Sequence, residues 1–156
     1  MAVLAIVLVV VAAYLLGSIP TGYLTARWAK GIDIRQYGSG TTGATNVLRT
    51  VGKGAAIAVL LIDLLKGLLA VLLVAALWPQ IIALAPDRVL AAQWQPWVAM
   101  LAGLTALIGH SKSVWINFTG GKSAASGLGV LLGLAWPVAL GAAAAFGLTL
   151  AFSRIV

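Results

Sequence analysis

The 156-residue sequence has no cysteine, no glutamate, a single histidine (His110) and only three aspartates (Asp33, Asp63 and Asp87). Without thiols there is no disulfide framework, no cysteine nucleophile and no thiolate metal site. One histidine and three acids leave a zinc or di-iron centre almost without ligands. Charge is scarce as well, 8% of the chain, where soluble domains carry roughly a quarter. That excludes an ordinary water-soluble domain, and the 62% hydrophobic content assigns the chain to the membrane class. The remaining charge is one-sided, a net +7, which suits anionic partners such as lipid headgroups or phosphorylated metabolites. Nucleic acid is not among them, because the basic residues are interleaved with apolar runs instead of lining one soluble face.

What the chain does have is long apolar runs. Residues 1–26 carry no charged side chain; a secretory signal would have a cationic start and a shorter core, so the run reads as a retained membrane helix. Gly17, Ser18 and Pro20 mark a bend or close helix packing near its end. A polar loop over 27–53 follows, then a second run over 54–77 broken only by Asp63 and Lys66. Residues 78–96, with Pro79, Pro86, Pro96, Trp78 and Trp94, read as an interfacial belt with a short loop. A third span covers about 97–108, or starts as early as Val89, and a polar stretch fills 109–123. The last run, 124–153, would be about 45 Å long as a straight helix, against a hydrocarbon core of about 30 Å. Trp136-Pro137 near its middle makes it one kinked span or two half-spans, and Arg154 favours a return. The expected fold is all-α: a polytopic transmembrane bundle, one domain over 1–156, with four to five membrane segments. Loops 27–53 and 109–123 hold seven lysines and arginines, whereas 78–96 holds only Arg88. Positive charge stays inside, so both polar loops are expected to be cytoplasmic and the N-terminus outside.

Two short motifs carry the chemistry. FTGGKS (118–123) looks like half of a nucleotide P-loop, but the first glycine that motif requires falls on Ile116. What remains is a Gly-Gly-Lys-Ser turn opening a helix, where glycines admit an anion closely and backbone N–H groups face it; a plain helix start is the alternative. GSGTTG (38–43) matches the dinucleotide fingerprint as a string, yet no buried strand precedes it and Asp63 lies inside an apolar run. The loop is instead rich in hydroxyls and amides, Ser39, Thr41, Thr42, Thr45 and Asn46, with Arg49 beyond, and can surround phosphate oxygens. Asp63 and Lys66, three apart, share a helix face and are either functional or a neutralising pair. His110 can serve as a base or as a hydrogen-bonding cap.

YGSGTTGATNVLRTVGKG (37–54), DLLKG (63–67) and GHSKSVWINFTGGKSAASGLGV (109–130), in this order and spacing, resemble the bacterial acyl-phosphate-dependent glycerol-3-phosphate acyltransferases, the PlsY family. The resemblance implies an enzyme of phospholipid biosynthesis in the bacterial plasma (inner) membrane. It would move a fatty acyl group from acyl phosphate to the first hydroxyl of glycerol 3-phosphate, without a cofactor or metal. Acyl phosphate, glycerol 3-phosphate and membrane lipid are the implied partners, with a functional link to an enzyme that makes acyl phosphate. It further implies a catalytic set of Ser39, Arg49 and His110. Thr45 and Asn46 would join Ser39 and Arg49 around the acyl phosphate, with Gly40 and Gly43 in the phosphate-binding set. Gly120, Gly121, Lys122 and Ser123 would hold the phosphate of glycerol 3-phosphate, with Lys66 and Lys112 completing the phosphate-binding set.

Three departures accompany the resemblance. Thr41 stands where the family has asparagine, Thr119 where it has a first lysine, and Ser123 where it has glycine, which leaves Lys122 as the only charge of that loop. The family also continues past the position of Val156 into a polar stretch with histidine and asparagine, so the sequence is expected to be a fragment. Read from the residues alone, an activated acyl donor needs no acyl-enzyme; the work is to hold two phosphorylated substrates together and cancel their repulsion. The other acyltransferase class needs an aspartate five residues after its histidine, and Trp115 occupies that place. A transporter for phosphorylated anions is the rival of a different kind.

Overall fold

A computed structural model describes residues 1–153 as helices and short loops. Arg154, invoked above for the return of the last segment, lies outside the described residues. In lipid every backbone polar group must be satisfied within the chain, which apolar sequences achieve as helices. Helix α1 (Ala2–Ser18) stops where Pro20 removes a donor, and α2 (Thr21–Lys30) resumes directly after it, ending on Gly31 in the left-handed conformation. The short α3 (Ala44–Thr50) precedes the long α4 (Lys53–Ala83). Helix α5 (Arg88–Ser111) starts on Asp87, whose carboxylate accepts the N–H groups of Val89 and Leu90 at 3.0 Å each. Helix α6 (Ala124–Ser153) is broken at Ala135, where φ is −157° and ψ 81°, just ahead of Pro137.

The short loop expected within 78–96 is residues 84–87, and the helices on either side of it extend further into that stretch than the belt suggested. Pro79 and Pro96 are inside helices, tolerated because neighbouring helices take up the freed backbone groups. Trp78 is part of the bundle core rather than an interfacial belt, while Trp94 and Trp97 are exposed. Among the described residues, three stretches are long and apolar enough to cross a membrane: Ala2–Lys30, Lys53–Ala83 and Ala124–Phe152. Helix α5 joins the same bundle, packed on α1 and α4.

Helix α4 is the spine. Its buried residues Asp63, Lys66, Gly67, Ala70, Val71, Val74, Trp78 and Ile81 fall at spacings of three and four, one continuous stripe. Leu60, Leu61, Leu65, Leu69 and Leu72 point away from it and are exposed, as suits a lipid-facing surface. Lipid tails supply little drive for helix association, so close backbone approach must supply it. Glycines provide that approach: Gly17 rests on the backbone of Ala106, Gly67 on that of Ser126, and Gly129 on the carbonyl of Leu64. A second, smaller apolar cluster of Ala26, Ile34, Val47, Ala56 and Val59 holds α2 and α3 on the start of α4. This end of the bundle carries both polar motifs.

Candidate functional site

The first motif is wound around one side chain. Asn46, 1% exposed, accepts the Ser39 N–H at 3.1 Å and donates to the carbonyls of Thr41 at 2.8 Å, Tyr37 at 3.0 Å and Ile34 at 3.3 Å. Such a set spends the amide's oxygen and both its N–H groups on the loop. Gly38, at φ +57°, lies so close that a Cβ there would strike the Asn46 Oδ1, and the left-handed conformation is itself costly for other residues. Asn46 therefore shapes the loop that the sequence offered it as a ligand for. The groups left at the surface are Ser39, whose hydroxyl lies 3.0 Å from that of Thr41, Gly40, Thr45 and Arg49, with Gly43 half-buried before α3.

The second motif is folded against the end of α5. The Ser113 N–H donates to Thr119 O at 3.1 Å and the Phe118 N–H to Ser113 O at 2.8 Å, closing the loop. Asn117, Phe118 and Ser123 all have positive φ, 58°, 55° and 58°. Three non-glycine residues in that region within seven positions represent strain of order 1 kcal/mol each, tolerated because the surroundings determine the loop. The Ser123 hydroxyl donates to Leu107 O at 2.9 Å and lies 2.6 Å from the Ser111 hydroxyl, so it too faces α5. Gly121 donates to His110 O at 3.1 Å, and a Cβ on Gly121 would run into His110 Nε2. Lys122 and Lys112 are exposed beside this seat.

The loops are tied to each other. The Thr42 N–H reaches Gly120 O at 3.4 Å. Arg35, not singled out from the sequence, straps one loop to the other. Its Nη1 donates to Ile116 O at 3.1 Å and Thr119 Oγ1 at 3.3 Å, while Nε and Nη2 grip Asp33, the closest contact being 2.6 Å. The guanidinium also lies over the Tyr23 ring at 5.2 Å. Its hydrogen bond holds the Asp33 carboxyl below the usual carboxylate range, and Asp33 in turn raises Arg35. A rigid fork that serves two partners at once is a task for arginine rather than lysine. The IDIRQ segment is polar and turn-like, and nothing in its spacing reveals the distant partner.

Beneath the loops is a buried polar cluster. Asp63 Oδ1 lies 2.5 Å from Thr21 Oγ1, 2.9 Å from Lys66 Nζ and 3.5 Å from His110 Nδ1. Lys66 also donates to Ile19 O at 2.9 Å, and Ser126 Oγ stands 3.2 Å from His110 Nδ1. Asp63, Lys66 and His110 are 1%, 4% and 6% exposed. Lys66 thus faces inward, toward Asp63 and the break between α1 and α2, instead of toward a surface phosphate. His110, in the last turn of α5, turns its ring inward to Ser126 and toward Asp63, and its carbonyl and ring form the floor under Gly121. The i, i+3 spacing of Asp63 and Lys66 is visible in the sequence, whereas the contributions of Thr21 and Ser126 come from other helices.

Known proteins share this chain's sequence and fold. A family model described as Glycerol-3-phosphate acyltransferase matches residues 7–156. The glycerol-3-phosphate acyltransferase of Trichormus variabilis is 54% identical over 150 residues, 95% of this chain and 66% of the relative. That of Rippkaea orientalis is 57% identical over 149 residues, 96% of this chain and 67% of the relative. Among solved structures, the glycerol 3-phosphate form of PlsY (YgiH), an integral membrane glycerol 3-phosphate acyltransferase, superposes with a TM-score of 0.76 at 35% identity, over 94% of this chain and 66% of that one. Its lysophosphatidic acid form gives 0.73 at 34% identity. The chain therefore spans about two thirds of the length of these relatives.

Proposed function

This chain belongs to the glycerol-3-phosphate acyltransferase family, and on that premise we propose that it acylates glycerol 3-phosphate from acyl phosphate, giving lysophosphatidic acid and inorganic phosphate. The observation that carries the reading is the pairing of two donor-rich loops at one end of an apolar bundle, joined by the Thr42–Gly120 hydrogen bond and the Arg35 strap. One substrate is lipid-like and the other water-soluble, so their meeting place must lie where the bilayer ends. The acyl chain lies along the helices, and the basic loops face the cytoplasm of a bacterial plasma membrane with the N-terminus outside.

In this reading the first hydroxyl of glycerol 3-phosphate attacks the acyl carbonyl carbon. The bond from that carbon to the phosphate oxygen then breaks, and phosphate leaves with the electron pair. The hydroxyl proton goes to a phosphate oxygen, so no side-chain base is required. Gly120, Gly121 and Lys122 hold the acceptor's phosphate, with Lys112 alongside, where exposed ammonium groups offset two anions brought together. Ser39, Gly40, Gly43, Thr45 and Arg49 hold the acyl phosphate and the oxyanion that develops. Asn46, Ser123, Lys66 and His110 set the shape of the loops, a role supported by how fully their polar atoms are engaged within the fold.

The test is phosphate release from palmitoyl phosphate by the detergent-purified protein, with and without glycerol 3-phosphate, beside the Trichormus variabilis relative. Release that depends on glycerol 3-phosphate, with lysophosphatidic acid formed in equal amount, is expected. Folded protein that releases none, also when extended at its C-terminus to the length of that relative, while the relative turns over would overturn the reading.

A further inference from the structure

We infer that Asp63 is a positioning residue for this reaction: one buried carboxylate sets the spacing between the two phosphate-binding loops. The inference rests on the acyltransferase reading and names a residue outside both loops. Asp63 sits on α4, yet its Oδ1 gathers partners from the first turn of α2, Thr21 at 2.5 Å, and the last turn of α5, His110 at 3.5 Å. Each partner is a pedestal. Next to Thr21, Gly22 packs so tightly under the first loop that a Cβ on it would strike Thr42 O. His110 carries the second loop, through the Gly121 N–H on its carbonyl at 3.1 Å and its ring behind Gly121. Lys66, 2.9 Å from Asp63 Oδ1, extends the hold to Ile19 O at the α1–α2 break. Ser126 Oγ, 3.2 Å from the same ring nitrogen, brings in α6.

A charged pair this deeply buried is a poor source of stability, because desolvation offsets the attraction. What it provides is a fixed point. A carboxylate can accept several donors at one oxygen, whereas an asparagine in its place would turn an amide toward Lys66 or His110 in some orientations and leave the ammonium without its countercharge. Both loops would lose a common reference, and the distance between the two phosphates would vary.

The test uses Thr21→Val, Thr21→Ser and Asp63→Asn in the detergent-solubilised protein, with KM and kcat for each substrate and thermal unfolding measured together. Thr21→Val keeps the charged pair and the shape, and removes only the hydroxyl that donates to Asp63. It is expected to raise KM for both substrates about tenfold, with Thr21→Ser restoring them. Asp63→Asn is expected to lower kcat/KM about a hundredfold, as a shift near 1 Å in reacting geometry does. A merely structural role lowers the unfolding temperature and leaves KM of the folded fraction unchanged; that outcome overturns the inference. If Asp63→Asn fails to fold, the Thr21 pair decides. If the wild type does not turn over even when extended at its C-terminus to the relatives' length, the acyltransferase reading fails on its own. The spacing claim is then read from calorimetric binding of inorganic phosphate, which Thr21→Val must weaken for the claim to stand.

Discussion

A single methyl group at Gly121 tests whether the glycine-rich turn is the seat of a phosphate or merely a helix start. A Cβ on Gly121 would collide with His110 Nε2 and stand 3.1 Å from both neighbouring ring carbons. Non-bonded heavy atoms settle at about 3.5 Å, so with Nε2 at 2.2 Å either ring or turn must give by roughly 1 to 1.5 Å. The ring has nowhere to go: it is 6% exposed and its other nitrogen faces Asp63 and Ser126. The turn must move instead, and its Gly121 N–H···His110 O bond with it. Overpacking of this kind costs about 1–3 kcal/mol. If half or more falls on the bound state, KM for glycerol 3-phosphate rises roughly tenfold, and more if the hydroxyl loses its aim. Gly127 is the control, since a Cβ there meets nothing within 4 Å. The assay is phosphate release at varied glycerol 3-phosphate, with unfolding temperature followed in parallel. Gly121→Ala with the KM and kcat of the wild type would refute the tight seat and return the turn to the status of a plain helix start.

Three further outcomes are expected. Arg35→Lys keeps charge and loses the fork, so the strap between the loops weakens by about 1 kcal/mol, about fivefold in kcat/KM, given its partial exposure; an unchanged kcat/KM would show that Thr42–Gly120 suffices. Gly67→Ala drives a Cβ into the Ser126 carbonyl, with the carbonyl carbon at 2.9 Å. Backbone cannot step aside like a side chain, so α4 and α6 must part, lowering Tm by roughly 3–10 °C as followed by tryptophan fluorescence. For Asp33, whose carboxyl is held below its usual range by Arg35, the sign is that of a depressed acid. Its contribution is present above the unfolded value of about 3.9 and is lost as pH falls through the lower folded value. The strap is thus intact from pH 5 upward; a KM rise near pH 6–7 that Asp33→Asn abolishes would contradict it.

How much of the site could be read from the chain depends on how local each interaction is. The Gly-Gly-Lys-Ser turn is contiguous, so its glycines and lysine stand out in one line of sequence. Asn46 was visible as a polar residue in a polar loop, but that its amide closes on Ser39, Tyr37 and Thr41 depends on how the loop curls. Lys66 read equally well as a phosphate ligand or a buried partner, because an i, i+3 pair says which residues share a face and not what the face meets. Pro79 and Pro96 mark an interfacial belt in the sequence, since proline ends helices in water; here both are enclosed in α4 and α5.

By itself the sequence determined the membrane class, the all-helical bundle, the order of its apolar segments and the two motif loops. Those features follow from composition, run length and residues adjacent in the chain. Only tertiary structure decided that Arg35 spans to Thr119, that His110 forms the floor beneath Gly121, and that Thr21, Asp63 and Ser126 meet below both loops. Residues 42 or 84 positions apart are brought together by how glycine-lined helices close against one another, and no local pattern records that packing.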